Sequence, residues 1–159
     1  MSNEIKILDR VQVTQKILRL AWDIYENNFL VGIGEKGMII AQELLTNLCQ
    51  ISSISPILTR LDINIDISTD SKMDLLEDEF KDKVIILCDD VLHSGKTLIY
   101  ASKVFLTTSI KKMSVLVLID RNHNSYPIKA NYVGLSLSTT LKEYIKVILS
   151  GDNQGVYLS

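Results

Sequence analysis

The sequence predicts an α/β fold with a mainly parallel central sheet flanked by helices. Three observations carry that reading. Residues 84–88 are a short, unbroken apolar run, and 29–33 and 113–119 are short runs apolar but for Gly32 and Ser114; all are partly β-branched, the pattern of strands buried on both faces. Stretches of helical periodicity alternate with them, as strand–helix units of a parallel sheet require. The junctions after residues 33 and 88 are rich in glycine or acid and lead straight into helix, where a hairpin would place a two-residue turn and a second strand.

Taken in order, residues 1–8 read as a lead-in. Asp9 is placed to cap a helix, with Gln12 at the capping-box position. That helix should run to about Asn27, with Val13, Ile17, Leu20, Ala21 and Ile24 as its apolar stripe and Trp22 in the packing. Residues 29–33 are the first strand, followed by Gly32, Gly34 and Gly37 in the spacing G-x-G-x-x-G and a helix from Met38 to about Cys49. A linker over 51–56 leads to a strand over 57–67. Leu61, Ile63, Ile65 and Ile67 lie on one side of it, and Arg60, Asp62, Asn64 and Asp66 on the other. Residues 68–83 are polar and acidic, with an apolar patch at Leu75, Leu76 and Phe80. The strand over 84–88 ends in an acidic turn, Asp89-Asp90, then Val91-Leu92, His93 and the small-residue loop Ser94-Gly95-Lys96-Thr97. A helix follows to about Thr108, with Leu98, Ala101, Val104 and Phe105 on one face. The strand over 113–119 ends in Asp120-Arg121-Asn122-His123, and Tyr132-Val133-Gly134 is a short strand. Residues 144–149, the turn Gly151-Asp152-Asn153 and residues 156–158 form a closing hairpin.

Composition narrows the class. Hydrophobic residues make up 47% and charged residues 23% of 159, the balance of an ordinary globular domain with a real core. No apolar run reaches transmembrane length and no signal peptide opens the chain, so a single cytoplasmic domain over residues 1–159 without membrane association is expected. Cys49 and Cys88 fall in a helix and a strand and read as buried thiols. His93 and His123 are too far apart, without ligand spacing, to suggest zinc. With 17 Lys and Arg against 19 Asp and Glu, the net charge of −2 does not advertise nucleic-acid binding. A basic face would have to be assembled from Lys111, Lys112, Lys129, Lys142 and Lys146.

The stretch over 84–97 carries the chemistry. Backbone N–H groups at a helix start bind anions. The acids beside them accept hydrogen bonds from vicinal hydroxyls or hold a hydrated cation. A sugar phosphate has both ends. Gly95-Lys96-Thr97 also ends a Walker A loop, but the glycine that loop needs five residues before Gly95 is Asp90, whose carboxylate would repel a triphosphate. The spacing Gly32, Gly34, Gly37 suits a dinucleotide fingerprint, whose ribose-binding acid would be Asp62, inside a strand. It suits any diphosphate that backbone amides approach closely.

The segment VIILCDDVLHSGKT resembles the signature of the type I phosphoribosyltransferases, which bind 5-phosphoribosyl-1-pyrophosphate (PRPP). The resemblance implies that fold, with a hood over the site and the closing hairpin. It implies that Asp89 and Asp90, the catalytic pair, orient the ribose hydroxyls and hold Mg²⁺ indirectly, through water. His93, Ser94, Gly95, Lys96 and Thr97 would hold the 5′-phosphate, and Gly34, Glu35, Lys36 and Gly37 the pyrophosphate. Asp120 and Arg121, at a strand end, would contact the base. His93 reads either as a solvent-facing side chain of this loop or as a substrate contact, and His123 as a structural hydrogen bond. The stretch VLVLIDRNHNSYPIKANYVG is similar to the pyrimidine-operon attenuator (PyrR) branch, as are Ile7-Leu8-Asp9 and Leu30-Val31-Gly32-Ile33. That branch implies uracil as the base, UMP and pyrophosphate as products, a homo-oligomer (dimer or higher) and RNA as a further partner. Two features depart from the branch. The hood is short, and no arginine occurs between Arg60 and Arg121. Three classes therefore stand: a base phosphoribosyltransferase first, then a PRPP-binding protein without turnover, then an RNA-binding regulator, which the acidic balance disfavours.

Overall fold

The structure, a computed structural model, describes residues 3–26, 28–64, 71–73 and 77–159. In chain order its elements are β1 (Ile5–Asp9), α1 (Arg10–Trp22), β2 (Phe29–Ile33), α2 (Gly34–Ile51), β3 (Ile57–Ile63), β4 (Ser71–Met73) and the short α3 (Glu77–Phe80). β5 (Val84–Leu92), α4 (Lys96–Phe105), β6 (Lys112–Asp120), β7 (Tyr132–Ser136), β8 (Ile145–Ile148) and β9 (Gly155–Leu158) complete the described elements. The main sheet has the order β4-β3-β2-β5-β6-β7. Its five strands from β3 to β7 are parallel, and β4 runs antiparallel at the edge. A second, antiparallel sheet has the order β1-β9-β8.

Strand alternation divides the core in two. Leu30, Ile86, Cys88, Leu116 and Leu118 point to one face, against Ile17 and Leu20 of α1, Ile40 and Leu44 of α2, and Val147 and Val156 of the small sheet. Val31, Ile85, Leu87, Val115 and Val117 point to the other, against Leu98, Ala101 and Phe105 of α4. Phe80 closes that second core, its ring edge-on to Phe105 at 5.1 Å. Both faces of the sheet are thus covered, which is why its strands read as continuous apolar runs.

The capping box at Asp9 and Gln12 is present, with Gln12 N–H donating to Asp9 Oδ1 at 2.8 Å and Asp9 N–H to Gln12 Oε1 at 2.9 Å. The closing hairpin is β8 and β9. Several local expectations need correction. The lead-in contains β1, which pairs with β9 at the far end of the chain, Ile5 opposite Leu158, so no local pattern betrays it. The first helix stops at Trp22 because Asp23 and Ile24 turn tightly, their N–H groups reaching Leu20 O and Ala21 O. Trp22 is not packed but 58% exposed, since it lies about 180° around the helix from Val13, on the side away from the buried stripe of Val13, Ile17, Leu20 and Ala21. Cys49 is exposed for the same reason, one step past Leu48, while Cys88 is buried as expected. The expectations placed on Asn27, on Ile65, Asp66, Ile67 and Ser68, and on Leu75 and Leu76 lie outside the described residues. Among the described residues, no helix is long and apolar enough to cross a membrane.

Candidate active site

The chain runs from β2 outward to β3, then crosses to β5 on the other side, so the sheet has a topological switch point between β2 and β5. Open α/β sheets bind ligands in the crevice beyond the carboxyl ends of such strands. The register shows how the crevice opens here. β2 pairs with β5 as far as Gly32 and Cys88, then turns into α2. β5 continues to Leu92 along β6, with Asp89 opposite Val117 and Leu92 opposite Asp120. The acid pair is therefore not a turn, as the sequence suggests, but the end of a nine-residue strand whose β2 side has been vacated. The glycine segment is likewise no loop. Residues 34–37 are the first turn of α2, entered through Gly34 at φ +65°, a left-handed conformation that side chains disfavour. Across the crevice, Lys36 Nζ lies 3.7 Å from Asp90 Oδ2.

The next segment is equally well fixed. Gly95 caps α4 at φ +87°, and Lys96 N–H donates to Ser94 Oγ at 3.2 Å. The N–H groups of Ser125 and Tyr126 donate to Ser94 O at 2.8 and 3.0 Å, bracing the loop from outside. A pocket of about 40 Å³ is lined by Asp89 and residues 91–98. It combines a helix N-terminus with hydroxyls, a combination suited to a phosphate.

Electrostatics act in opposite directions on Asp89 and His93. Burial pushes the Asp89 carboxyl well above the usual carboxylate range, and the neighbouring Asp90 pushes it further; the Asp90 N–H, donating to Asp89 Oδ1 at 2.9 Å, and the Lys36 charge pull the other way. His93 is half-buried. Burial first, then the Arg121 charge, lower its pKa, with Lys36 adding to the effect and Asp90 opposing it. A histidine lowered on folding contributes stability that is fully present above its ordinary value of about 6.5 and is lost as pH falls through the folded value. Wild type should therefore lose stability relative to His93→Gln as pH drops from about 6.5, measured by urea titration at several pH values. A constant difference between the two would contradict the burial of this ring.

At the end of β6, Arg121 is heavily engaged. Its Nε donates to Thr139 Oγ1 at 2.8 Å, its Nη1 to His93 Nδ1 at 2.9 Å, and its Nη2 to the carbonyls of Glu143 at 2.8 Å and Thr140 at 3.3 Å. His123 Nε2 bonds Thr139 O, the structural role expected of it. Asp120 Oδ1 accepts from Asn122 N–H at 2.9 Å, turning the chain at Asn122, which sits at φ +59°.

The family model of the phosphoribosyl transferase domain matches residues 5–148. The bifunctional protein PyrR of Clostridium acetobutylicum is 36% identical over 95% of this chain and 93% of its own length. The chain belongs to the PyrR branch of the phosphoribosyltransferases. A second relative of the branch, from Alkaliphilus metalliredigens, is 33% identical over 94% of this chain and 90% of its own. Among solved structures, the hypoxanthine phosphoribosyltransferase of Trypanosoma cruzi superposes with a TM-score of 0.77 over 96% of this chain and 94% of that one, at 14% identity, which speaks to the fold.

The structure brings residues 34–37, Asp89, Asp90 and residues 93–97 to one end of the sheet, with Asp120 at the end of the adjacent strand β6 and Arg121 directly after it. Asp62 stands apart from this group, on the exposed face of β3, paired with Arg60 at 2.9 Å. Sequence reasoning missed Thr139, Thr140, Glu143 and Tyr144. They lie between β7 and β8 in a segment with no motif of its own, and only tertiary folding sets them against Arg121 and His93.

Proposed function

We propose that this protein transfers phosphoribose from PRPP to uracil, giving UMP and pyrophosphate. The observation that carries the reading is the crevice in which Lys36, on the first turn of α2, faces Asp90, at the end of β5, across 3.7 Å. There a diphosphate meets amides and a cation while vicinal hydroxyls meet carboxylates. A base nitrogen attacks the ribose C1 and loses its proton. The bond from C1 to the pyrophosphate oxygen breaks, and its electron pair leaves with the pyrophosphate. Positive charge develops on the ribose ring and negative charge on the leaving group, so positioning and electrostatics dominate catalysis. Asp89 and Asp90 orient the hydroxyls, residues 93–97 hold the 5′-phosphate and Lys36 the pyrophosphate, with Asp120 at the base end and Arg121 beside it, its N–H groups turned to Thr139, Thr140, Glu143 and His93.

The acid pair suits Mg²⁺, a hard cation with a preference for oxygen and retained water. Its destabilised negative charge at Asp89 favours a cation nearby. Among the described residues no three ligating side chains cluster, so Asp89 and Asp90 would hold the ion through its water. Mg²⁺ would supply charge neutralisation at the pyrophosphate. A single domain over residues 1–159, a homo-oligomeric state and a cytoplasmic setting belong to the same proposal.

A base panel with PRPP and Mg²⁺, read by pyrophosphate release, tests the activity. Uracil should give release; preference for a purine would overturn the base, and PRPP binding without release from any base would favour a binding protein. In calorimetric titrations PRPP should bind and NAD should not. NAD seated on residues 32–37 would overturn the assignment of that segment.

A second reading, RNA binding, has one observation in its favour. An open groove of about 590 Å³ beside α1 is lined by Gln12, Gln15, Lys16 and Arg19 together with apolar residues, and holds no carboxylate among the described residues. Two of the five lysines expected to build a basic face are instead spent on carboxylates, Lys112 on Glu26 at 3.9 Å and Lys146 on Glu4 at 3.6 Å. Two groove cations neutralise few phosphates, so binding to a pyrimidine-operon leader RNA should be weak, indifferent to sequence and gone by moderate salt. A gel shift that survives moderate salt and strengthens with UMP would move this reading to first place.

A further inference from the structure

We propose that Arg121 is a positioning residue that fixes His93 as its Nε2–H tautomer, so that the loop after the acid pair presents an uncharged hydrogen-bond donor to an oxygen of the bound substrate. The inference deepens the phosphoribosyltransferase reading and rests on it for the nature of that substrate.

The argument starts from an asymmetry between the two side chains. A guanidinium has five N–H donors and no acceptor. Its contact with an imidazole nitrogen at 2.9 Å is therefore made only by donation into that nitrogen's lone pair. Nδ1 of His93 must be unprotonated, and the neutral ring carries its proton on Nε2. Arg121 cannot swing away freely, because Thr139, Thr140 and Glu143 take three of its other N–H groups. Four of five donors are thus committed within the protein, and Arg121 has little left for direct recognition of a base. Its influence on the site runs through His93.

The rest of the ring is held as well. Tyr144 lies parallel to it, the planes 14° apart and the centroids at 6.0 Å. Nδ1 is occupied by Arg121 and one face by Tyr144, while Nε2 has no partner among the described residues. The ring stands between the end of β5 and Ser94, close enough to Asp90 and Lys36 to feel both charges. Those two residues flank the crevice. A proton on Nε2 and an occupied lone pair on Nδ1 leave His93 no site from which to act as a base; what it offers is a donor. The segment from Thr139 to Tyr144 acquires a purpose in this arrangement, since it sets both the guanidinium and the ring.

The test is ¹⁵N NMR of the full chain labelled at histidine, with His123→Asn used to assign the two rings. In wild type at neutral pH, His93 should show a pyrrole-like Nε2 and a pyridine-like Nδ1; the reverse pattern overturns the proposal whether or not the protein is active. Arg121→Met should release the ring to a mixture of tautomers, and Arg121→Lys should restore part of the bias. An unchanged pattern in a folded Arg121→Met would equally overturn it. Ribose 5-phosphate and UMP are then added separately. A shift of Nε2 with both places the accepting oxygen on the sugar phosphate, a shift with UMP alone places it on the base, and a shift with neither removes the donor role. His93→Gln, which keeps a donor, should hold KM within about threefold, and His93→Phe should raise it about tenfold, the scale of one hydrogen bond. Missing transfer activity beside the expected tautomer would count against the enzyme reading alone.

Discussion

Replacing Asp89 and Asp90 together by asparagine is expected to weaken PRPP binding at least about tenfold and to leave the fold intact. A hydrogen bond to a charged group contributes about 1.5–3 kcal/mol, and about 1.4 kcal/mol is already tenfold in affinity. The fold should survive because neither carboxylate anchors it. Asp89→Asn keeps a side-chain oxygen that can accept from the N–H of residue 90, as Asp89 Oδ1 does now. The Lys36–Asp90 pair joins a half-exposed lysine to a carboxylate 20% exposed, so solvent screening keeps its contribution to about 1 kcal/mol or less. Asp89 is a liability in the free protein. Its folded pKa is raised, so the folded state holds its proton more tightly than the unfolded chain does. Stability then falls as pH rises from the ordinary carboxylate range through the raised value. The double variant should lose that slope and be no less stable than wild type at neutral pH. Calorimetric titration with PRPP and Mg²⁺, beside thermal unfolding at two pH values, checks both halves. Undiminished affinity in a folded double variant would mean that the acids merely end a strand.

What is legible in the sequence follows physical range. The run 29–33 is β2 with the same bounds, because four apolar side chains around Gly32, ending at Gly34, have one good solution in a covered sheet. The capping box at Asp9 and the hairpin of β8 and β9 are legible for the same reason: their determinants lie within a few residues of one another. β1 is not, since its partner Leu158 lies at the other end of the chain. The site divides along the same line. Lys36, Asp89, Asp90 and residues 93–97 stand in two local motifs, and each motif implies its chemistry. Their meeting requires the switch point between β2 and β5. The extension of β5 to Leu92 depends on β6 being long enough to pair with it, which no reading of residues 84–97 alone could supply. The role of Arg121 is hidden most completely, because three of its partners come from residues 139–143, which lack any signature.

Gly37→Ala is expected to damage both stability and PRPP binding. A Cβ at this position would stand 2.4 Å from the backbone oxygen of Cys88 and 3.3 Å from the carbonyl carbon of Gly32. Neither is the end of a flexible side chain. Cys88 is held in the sheet between β2 and β6, so the start of α2 must lift instead. Overpacking of this kind costs about 1–3 kcal/mol. In a chain of this size each kcal/mol lowers the melting temperature by about 2–4 °C. The displaced turn is the one that carries Lys36, and Cys88 directly precedes Asp89, so the same movement widens the crevice where the diphosphate is proposed to sit. Gly151→Ala separates clash from backbone strain. Gly151 has φ +80° with nothing within 4 Å of where a methyl group would stand, and it lies in the turn between β8 and β9. That variant should lose about 1–2 kcal/mol, the cost of a left-handed alanine, with PRPP affinity unchanged. Gly37→Ala should lose affinity as well as stability, measured by calorimetry below the melting transition of each variant. Equal affinities in the two would show that the close approach of α2 to β5 serves packing alone and that residues 34–37 do not hold the pyrophosphate.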